Sequence, residues 1–168
     1  GKGSKRVQLM GSGSILREVI AAANILSEDF GIQADVWSCP SFNELKRDGD
    51  DCVRWNLMHP DQKPRIPHVT ACLEKHSGPV VAATDYVKLF ADQIRAYVGR
   101  NYHVLGTDGF GRSDTRALLR RHFEVNRYYV TVAALKTLAD EGTVPAKTVK
   151  SAIRKYKLDP EKPNPLNV

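Results

Sequence analysis

The residue types best able to make directed contacts gather in Asp108-Gly-Phe-Gly-Arg-Ser-Asp114. Phe110 stands between Gly109 and Gly111, with Asp108, Arg112 and Asp114 close by. A phenyl ring flanked by two glycines has little to hide behind in its own loop. Either it inserts into a neighbouring domain or subunit, with the charged residues adding directional hydrogen bonds, or it tucks back into its own core. These six residues form the candidate interface loop.

Other candidate chemistry is thinner. The five histidines (His59, His68, His76, His103, His122) form no His-x-x-x-His pair, and no serine sits in a Gly-x-Ser-x-Gly turn. Metal hydrolysis and nucleophilic catalysis are therefore unsupported, and His59 reads as a structural hydrogen-bonding residue. Gly11-Ser-Gly-Ser14 could cradle a phosphate on helix amides. A dinucleotide fingerprint, however, needs a third glycine where Leu16 stands, and Ser38-Cys-Pro40 supplies no acid after the second strand. A tight turn is the simpler reading. Asp48-Gly-Asp-Asp51 lacks both the glycine position and the distal Glu of a calcium loop, and reads as a solvated turn.

Cys39, Cys52 and Cys72 are odd in number and widely spaced, which argues against disulfides or structural zinc and fits a reducing cytoplasm. They read as inert, buried or half-buried thiols. Arg116, Arg120 and Arg121 beside Asn126 and Arg127 raise a helix–turn–helix reading. Yet Tyr128, Tyr129 and Val130 open the second helix with bulk suited to packing rather than to base edges.

Composition narrows the class. The 168 residues, 42% hydrophobic and 26% charged, are those of an ordinary globular protein able to bury about 70% of its unfolded surface. No apolar run reaches the roughly 20 residues that cross a bilayer, and no signal-peptide core follows the first residues. Net charge is +6, and residues 112–157 hold eleven Lys or Arg against four Asp or Glu. Most of these lie opposite apolar helix positions, where solvated charge belongs, so neither nucleic acid nor membrane is expected as a partner.

The elements that must position these residues follow from periodicity. Strands are expected at residues 6–10, 33–39, 79–83 and near Val104 and Leu105. Ser14 is expected to cap a helix with Leu16, Val19, Ile20, Ala23 and Leu26 as its apolar stripe, Ala22 beside them, ended by Gly31. A helix from Ser41 is expected to break at Asp48-Gly-Asp50 and resume through Val53, Trp55 and Leu57. Residues 58–67 hold three prolines and must be irregular; residues 67–75 suit a short helix. Thr84 or Asp85 should cap a helix carrying Tyr86, Leu89, Phe90, Ile94 and Val98. Ser113 or Asp114 should cap one carrying Ala117, Leu118 and Leu119, and a further helix begins near Asn126 with Val130, Ala133, Ala134 and Leu138. Pro145 starts the last, with Val149, Ile153 and Tyr156 inward. Alternating strands and helices imply βαβ units in an α/β fold, three-layer α/β/α, with a mainly parallel sheet of about four strands. The chain reads as one domain over 1–168, with a linker or expression scar at 1–5 and an extended tail at 157–168.

Gly106-Thr-Asp-Gly-Phe-Gly-Arg-Ser-Asp114, followed by Leu119-Arg-Arg-His-Phe-Glu-Val-Asn126, resembles the last domain of transketolase-like, thiamine-diphosphate-dependent enzymes. The likeness is strongest to the homodimeric decarboxylating component of bacterial pyruvate dehydrogenase complexes. Met10-Gly-Ser-Gly-Ser-Ile-Leu-Arg17, Ser41-Phe-Asn-Glu-Leu-Lys-Arg-Asp-Gly49, Arg54-Trp-Asn-Leu-Met-His-Pro60, Thr84-Asp-Tyr-Val-Lys-Leu-Phe90 and Lys162-Pro-Asn-Pro165 are similar to that family too. The resemblance implies the strand order 2-1-3-4 and an antiparallel edge strand drawn from residues ahead of Gly1. It also implies a parent that decarboxylates pyruvate on thiamine diphosphate and magnesium, held by other domains, and passes the acyl group to the lipoyl arm of an acyltransferase. The family's diphosphate motif, Gly-Asp-Gly with a later Asn, is absent: Thr107-Asp-Gly109 lacks the leading glycine. No catalytic, cofactor-binding or metal residue carries over. What carries over is a brace that meets the other domains of its own chain and the second subunit of a homodimer. A second reading from the residues alone is a stand-alone α/β module for a nucleotide or an acidic partner, using the glycine loops and the basic face.

Overall fold

A computed structural model describes residues 5–168. Four parallel strands, β1 (Arg6–Gly11), β2 (Gln33–Ser38), β3 (Val80–Ala83) and β4 (Tyr102–Leu105), form a sheet in the order β2-β1-β3-β4. The register is regular, with Leu9 opposite Val36 and Val81, and Ala82 opposite Val104. Strand alternation sorts the side chains between two cores. Val7, Leu9, Val81, Ala83 and Leu105 face the core built with α1 (Leu16–Phe30), α7 (Arg127–Asp140) and α8 (Ala146–Lys155). Met10, Val80, Ala82, Tyr102 and Val104 face the core of α2 (Phe42–Met58), α3 (His68–Leu73), α4 (Lys88–Asp92) and α5 (Arg95–Val98). The helix α6 (Arg116–His122) buries no residue fully and packs at the rim. The three-layer α/β/α arrangement and strand order agree with expectation. The edge strand expected ahead of Gly1 lies outside the described residues.

Several local expectations fail for identifiable reasons. Ser14 caps nothing: a short 3-10 turn, Gly13–Ile15, precedes α1, and the Ser14 hydroxyl bonds Asp85 instead. The buried stripe of α1 is Glu18, Val19, Ala22 and Leu26, continuing Ile15 of the 3-10 turn, while Ile20 is exposed. Gly31 does end the helix in the left-handed region, φ 62°. The second helix runs unbroken through Asp48-Gly-Asp-Asp51, so that stretch is no solvated turn. Gly49 is there because the Tyr97 ring lies where a Cβ would be, 2.4 Å away. Helical residues after β3 start only at Lys88 and divide at Gln93 and Ile94 into α4 and α5. Thr84 accepts a hydrogen bond from the Tyr86 amide in a local turn, which delays the helix, and Tyr86, Leu89 and Phe90 face outward. Thr115, rather than Ser113 or Asp114, caps α6, while α7 begins next to Asn126 as expected, with Asn126 its cap, accepting from the Tyr128 and Tyr129 amides. The three cysteines are free, with Cys39 and Cys52 buried and Cys72 half-buried. The last residues include a 3-10 turn, Pro165–Asn167, with Pro165 buried. Among the described residues no helix is long and apolar enough to cross a membrane.

Candidate functional site: the loops at the carboxyl edge of the sheet

Three loops leave the carboxyl ends of β1, β3 and β4 and are laced together. Ser12 donates to Thr84 Oγ1 at 2.8 Å in a buried bond between the first two. The Thr107 amide donates to the Tyr86 carbonyl at 2.9 Å, and its hydroxyl to the Asp85 carbonyl at 2.8 Å. Gly106 has no room for a side chain: a Cβ would meet Lys88 N and Tyr86 O at 2.7 Å. Asp108 then accepts from the Lys88 amide at 2.8 Å and faces the Lys88 ammonium. The carboxylate thereby holds the β4 loop to the start of α4.

Past this anchor the six candidate residues separate by role. Gly109 adopts φ 107° with the Pro165 carbonyl 2.2 Å from where a Cβ would stand, so only glycine lets the loop pass under the last turn. Gly111 has open space around it. Phe110 is 76% exposed and does not tuck back into its own core. Arg112 and Asp114 line a cleft of about 570 Å³ together with Asp85 and Arg116. Sequence reasoning missed the exposed apolar neighbours on the adjoining segment, Tyr86 in the loop before α4 and Leu89 in its first turn, which are 63% and 72% exposed. It treated them as a helical stripe, and only the delayed start of α4 turns them outward.

A second feature it missed is the clamp behind the loops. Glu18, 5% exposed, accepts from Arg120 Nη1 at 2.9 Å and from Arg127 N, Nε and Nη2 at 2.9, 3.0 and 3.1 Å. Burial alone would raise this carboxyl, but the Arg127 hydrogen bonds and the two guanidinium charges outweigh it and hold Glu18 below its ordinary value. The clamp ties α1 to α6 and to the first residue of α7, and so fixes both ends of the segment after the candidate loop. The available signal was an acid in phase with Ile15, Val19 and Ala22.

The same contacts weigh on the other readings. Arg120 and Arg127 are engaged by Glu18, and Arg121 donates to the Lys157 carbonyl, so these arginines form no free nucleic-acid face. Facing Gly13, the Asp85 carboxylate lies 3.0 Å from a would-be Cβ and bonds Ser14, which puts negative charge where a phosphate would have to sit. His59 stacks on Trp55 and bonds its carbonyl at 2.9 Å, a structural role. The donor set also fails to fit magnesium and a diphosphate. Asp108 is spent on Lys88, Gly109 is closed off by Pro165, and no three of the described His, Cys, Asp or Glu residues converge.

The pyruvate dehydrogenase E1 component of Cupriavidus necator is 61% identical over 163 residues, 97% of this chain and 18% of that protein. Those of Pseudomonas aeruginosa and Escherichia coli K12 are 60% and 55% identical over 96% and 98% of the chain, again 18% of their own lengths. The chain thus spans under a fifth of the curated relatives it matches. Residues 1–126 match the family described as the transketolase-like TK C-terminal domain. With the sheet order and the loops at its carboxyl edge, that match makes the chain a member of the transketolase-like C-terminal domain family.

Proposed function

We propose that the chain is the C-terminal domain of a pyruvate dehydrogenase decarboxylating component, and that it braces the parent's other domains and its homodimer contact instead of doing chemistry. In this reading the cytoplasmic parent decarboxylates pyruvate with thiamine diphosphate and magnesium bound elsewhere, and passes the acyl group to an acyltransferase component. The observation that carries the brace role is Phe110: a large apolar ring, 76% exposed, on a loop anchored just before the ring by Asp108 on Lys88 and by Gly109 against Pro165. Ordering such a ring before contact lowers the entropy lost on docking. Tyr86 on the adjoining loop and Leu89 at the start of α4, both exposed, extend the apolar character of this edge.

The test uses the full-length protein carrying Phe110→Ala. Sedimentation should report weaker dimerisation or limited proteolysis a looser domain contact, with pyruvate turnover reduced in proportion. An unchanged oligomer, proteolytic pattern and rate would remove Phe110 from the interface. Separately, the 168-residue chain should not turn over pyruvate with thiamine diphosphate; turnover would show that the active site has been misplaced.

A further inference from the structure

On the opposite side of β2 from the clamp, an apolar cavity of about 330 Å³ is walled by Met10, Trp37, Leu45 and Val69 and holds two thiols, Cys39 and Cys72. On α3, His68 and Cys72 are one helical turn apart, and His68 Nε2 lies 3.4 Å from Cys72 Sγ. The backbone under the imidazole is fixed, since the His68 amide donates to Asp48 Oδ2 at 2.6 Å. The two thiols differ. Cys39 is buried, and burial, with a smaller contribution from Cys72, pushes it up to about 11, so it stays protonated at neutral pH. Cys72 is half-buried at the cavity wall and has a base beside it. The other charged groups from the packed elements are Glu44, which is paired with Arg47, and Asp48.

We propose that Cys72, with His68 as its proton acceptor, is a peroxide-reactive thiol, and that the apolar cavity is where a peroxide meets it. A thiol needs thiolate character and access to react, and an adjacent imidazole supplies the first. With His68 as the Nδ1–H tautomer, Nε2 takes the thiol proton and Sγ attacks one peroxide oxygen. The S–O bond forms as the O–O bond breaks, and the departing hydroxide takes the proton back from His68 as water. Sulfur loses the two electrons that the peroxide gains, leaving Cys72 as a sulfenic acid.

The experiment treats the full-length protein with hydrogen peroxide and dimedone and maps the adducts on tryptic peptides by mass spectrometry. The Cys72 peptide should be labelled at least about tenfold faster than the Cys39 and Cys52 peptides, in line with a modest contribution from a positioned base. His68→Gln should slow Cys72 labelling several-fold while leaving the labelling of the Cys39 and Cys52 peptides unchanged. Equal labelling of the three peptides, or a His68→Gln protein with the same Cys72 rate, would overturn the proposal. Should that variant not fold, the wild-type labelling ratio decides: a Cys72 rate no higher than that of Cys52 is equally fatal.

Discussion

Replacing Glu18 by Gln removes one charge from the clamp while keeping its volume. The change leaves Arg120, whose side chain is only 15% exposed, without its anion, and weakens three further hydrogen bonds from Arg127. Breaking a buried ion pair from one side costs about 3–5 kcal/mol. Arg127 is 43% exposed and can turn to water, so the lower end, about 3 kcal/mol, applies here. For a domain of this size each kcal/mol moves the melting temperature by about 2–4 °C, giving a fall of about 6–12 °C. Because the folded-state carboxyl sits below its ordinary value, the clamp's stabilisation is present above the unfolded value and lost as pH falls through the folded one. Thermal melts of wild type and variant at neutral pH and at pH values below the ordinary Glu value of about 4.3 test both statements. The difference between them should be full at neutral pH and shrink on acidification. A variant melting within 1–2 °C of wild type at neutral pH (a change of under about 1 kcal/mol) would refute the assignment of the clamp.

Other perturbations act on single features. Gly109→Ala forces a Cβ into the Pro165 carbonyl at φ 107° and should cost about 1–3 kcal/mol, read as a lower denaturant midpoint; no change would mean the last turn moves freely. Gly49→Ala meets the Tyr97 ring and should cost a similar ~1–3 kcal/mol, with Tyr97→Ala largely rescuing the double variant. Phe110→Ala should leave the stability of the isolated chain within about 0.5 kcal/mol, because the ring touches little in its own fold. Cys39, pushed up to about 11 by burial, should resist a disulfide reagent at pH 8 until denaturant is added.

The architecture was legible because it rests on redundant signals. Each strand carries apolar residues between turn and cap residues, each long helix carries many periodic positions, and Gly31 and Asn126 mark ends that local chemistry dictates. What escaped was set by contacts distant in sequence. Gly49 looks like a helix breaker until Tyr97 claims its empty side, and Thr84 looks like a cap until its hydroxyl is spent two residues on. The position of Phe110 between two glycines announced a special loop. Which way the ring points was decided by Asp108 reaching Lys88 and by Pro165 passing over Gly109, neither visible locally. Glu18 was hidden by the expectation that a helix stripe is apolar; its partners lie 102 and 109 residues away.

That separation has a kinetic meaning. A bond joining residues more than a hundred positions apart closes a very large loop, so it cannot reward the chain until α1 and α7 have already found their places on the sheet. The clamp therefore belongs to the descent after the folding barrier, and its energy is spent on slowing escape from the native state. In a Glu18→Gln chevron the unfolding limb should rise by nearly the whole stability change while the folding limb stays put. The clamp is thus a latch on the lifetime of the folded loops, and it governs how long the edge that carries Phe110 stays assembled between openings.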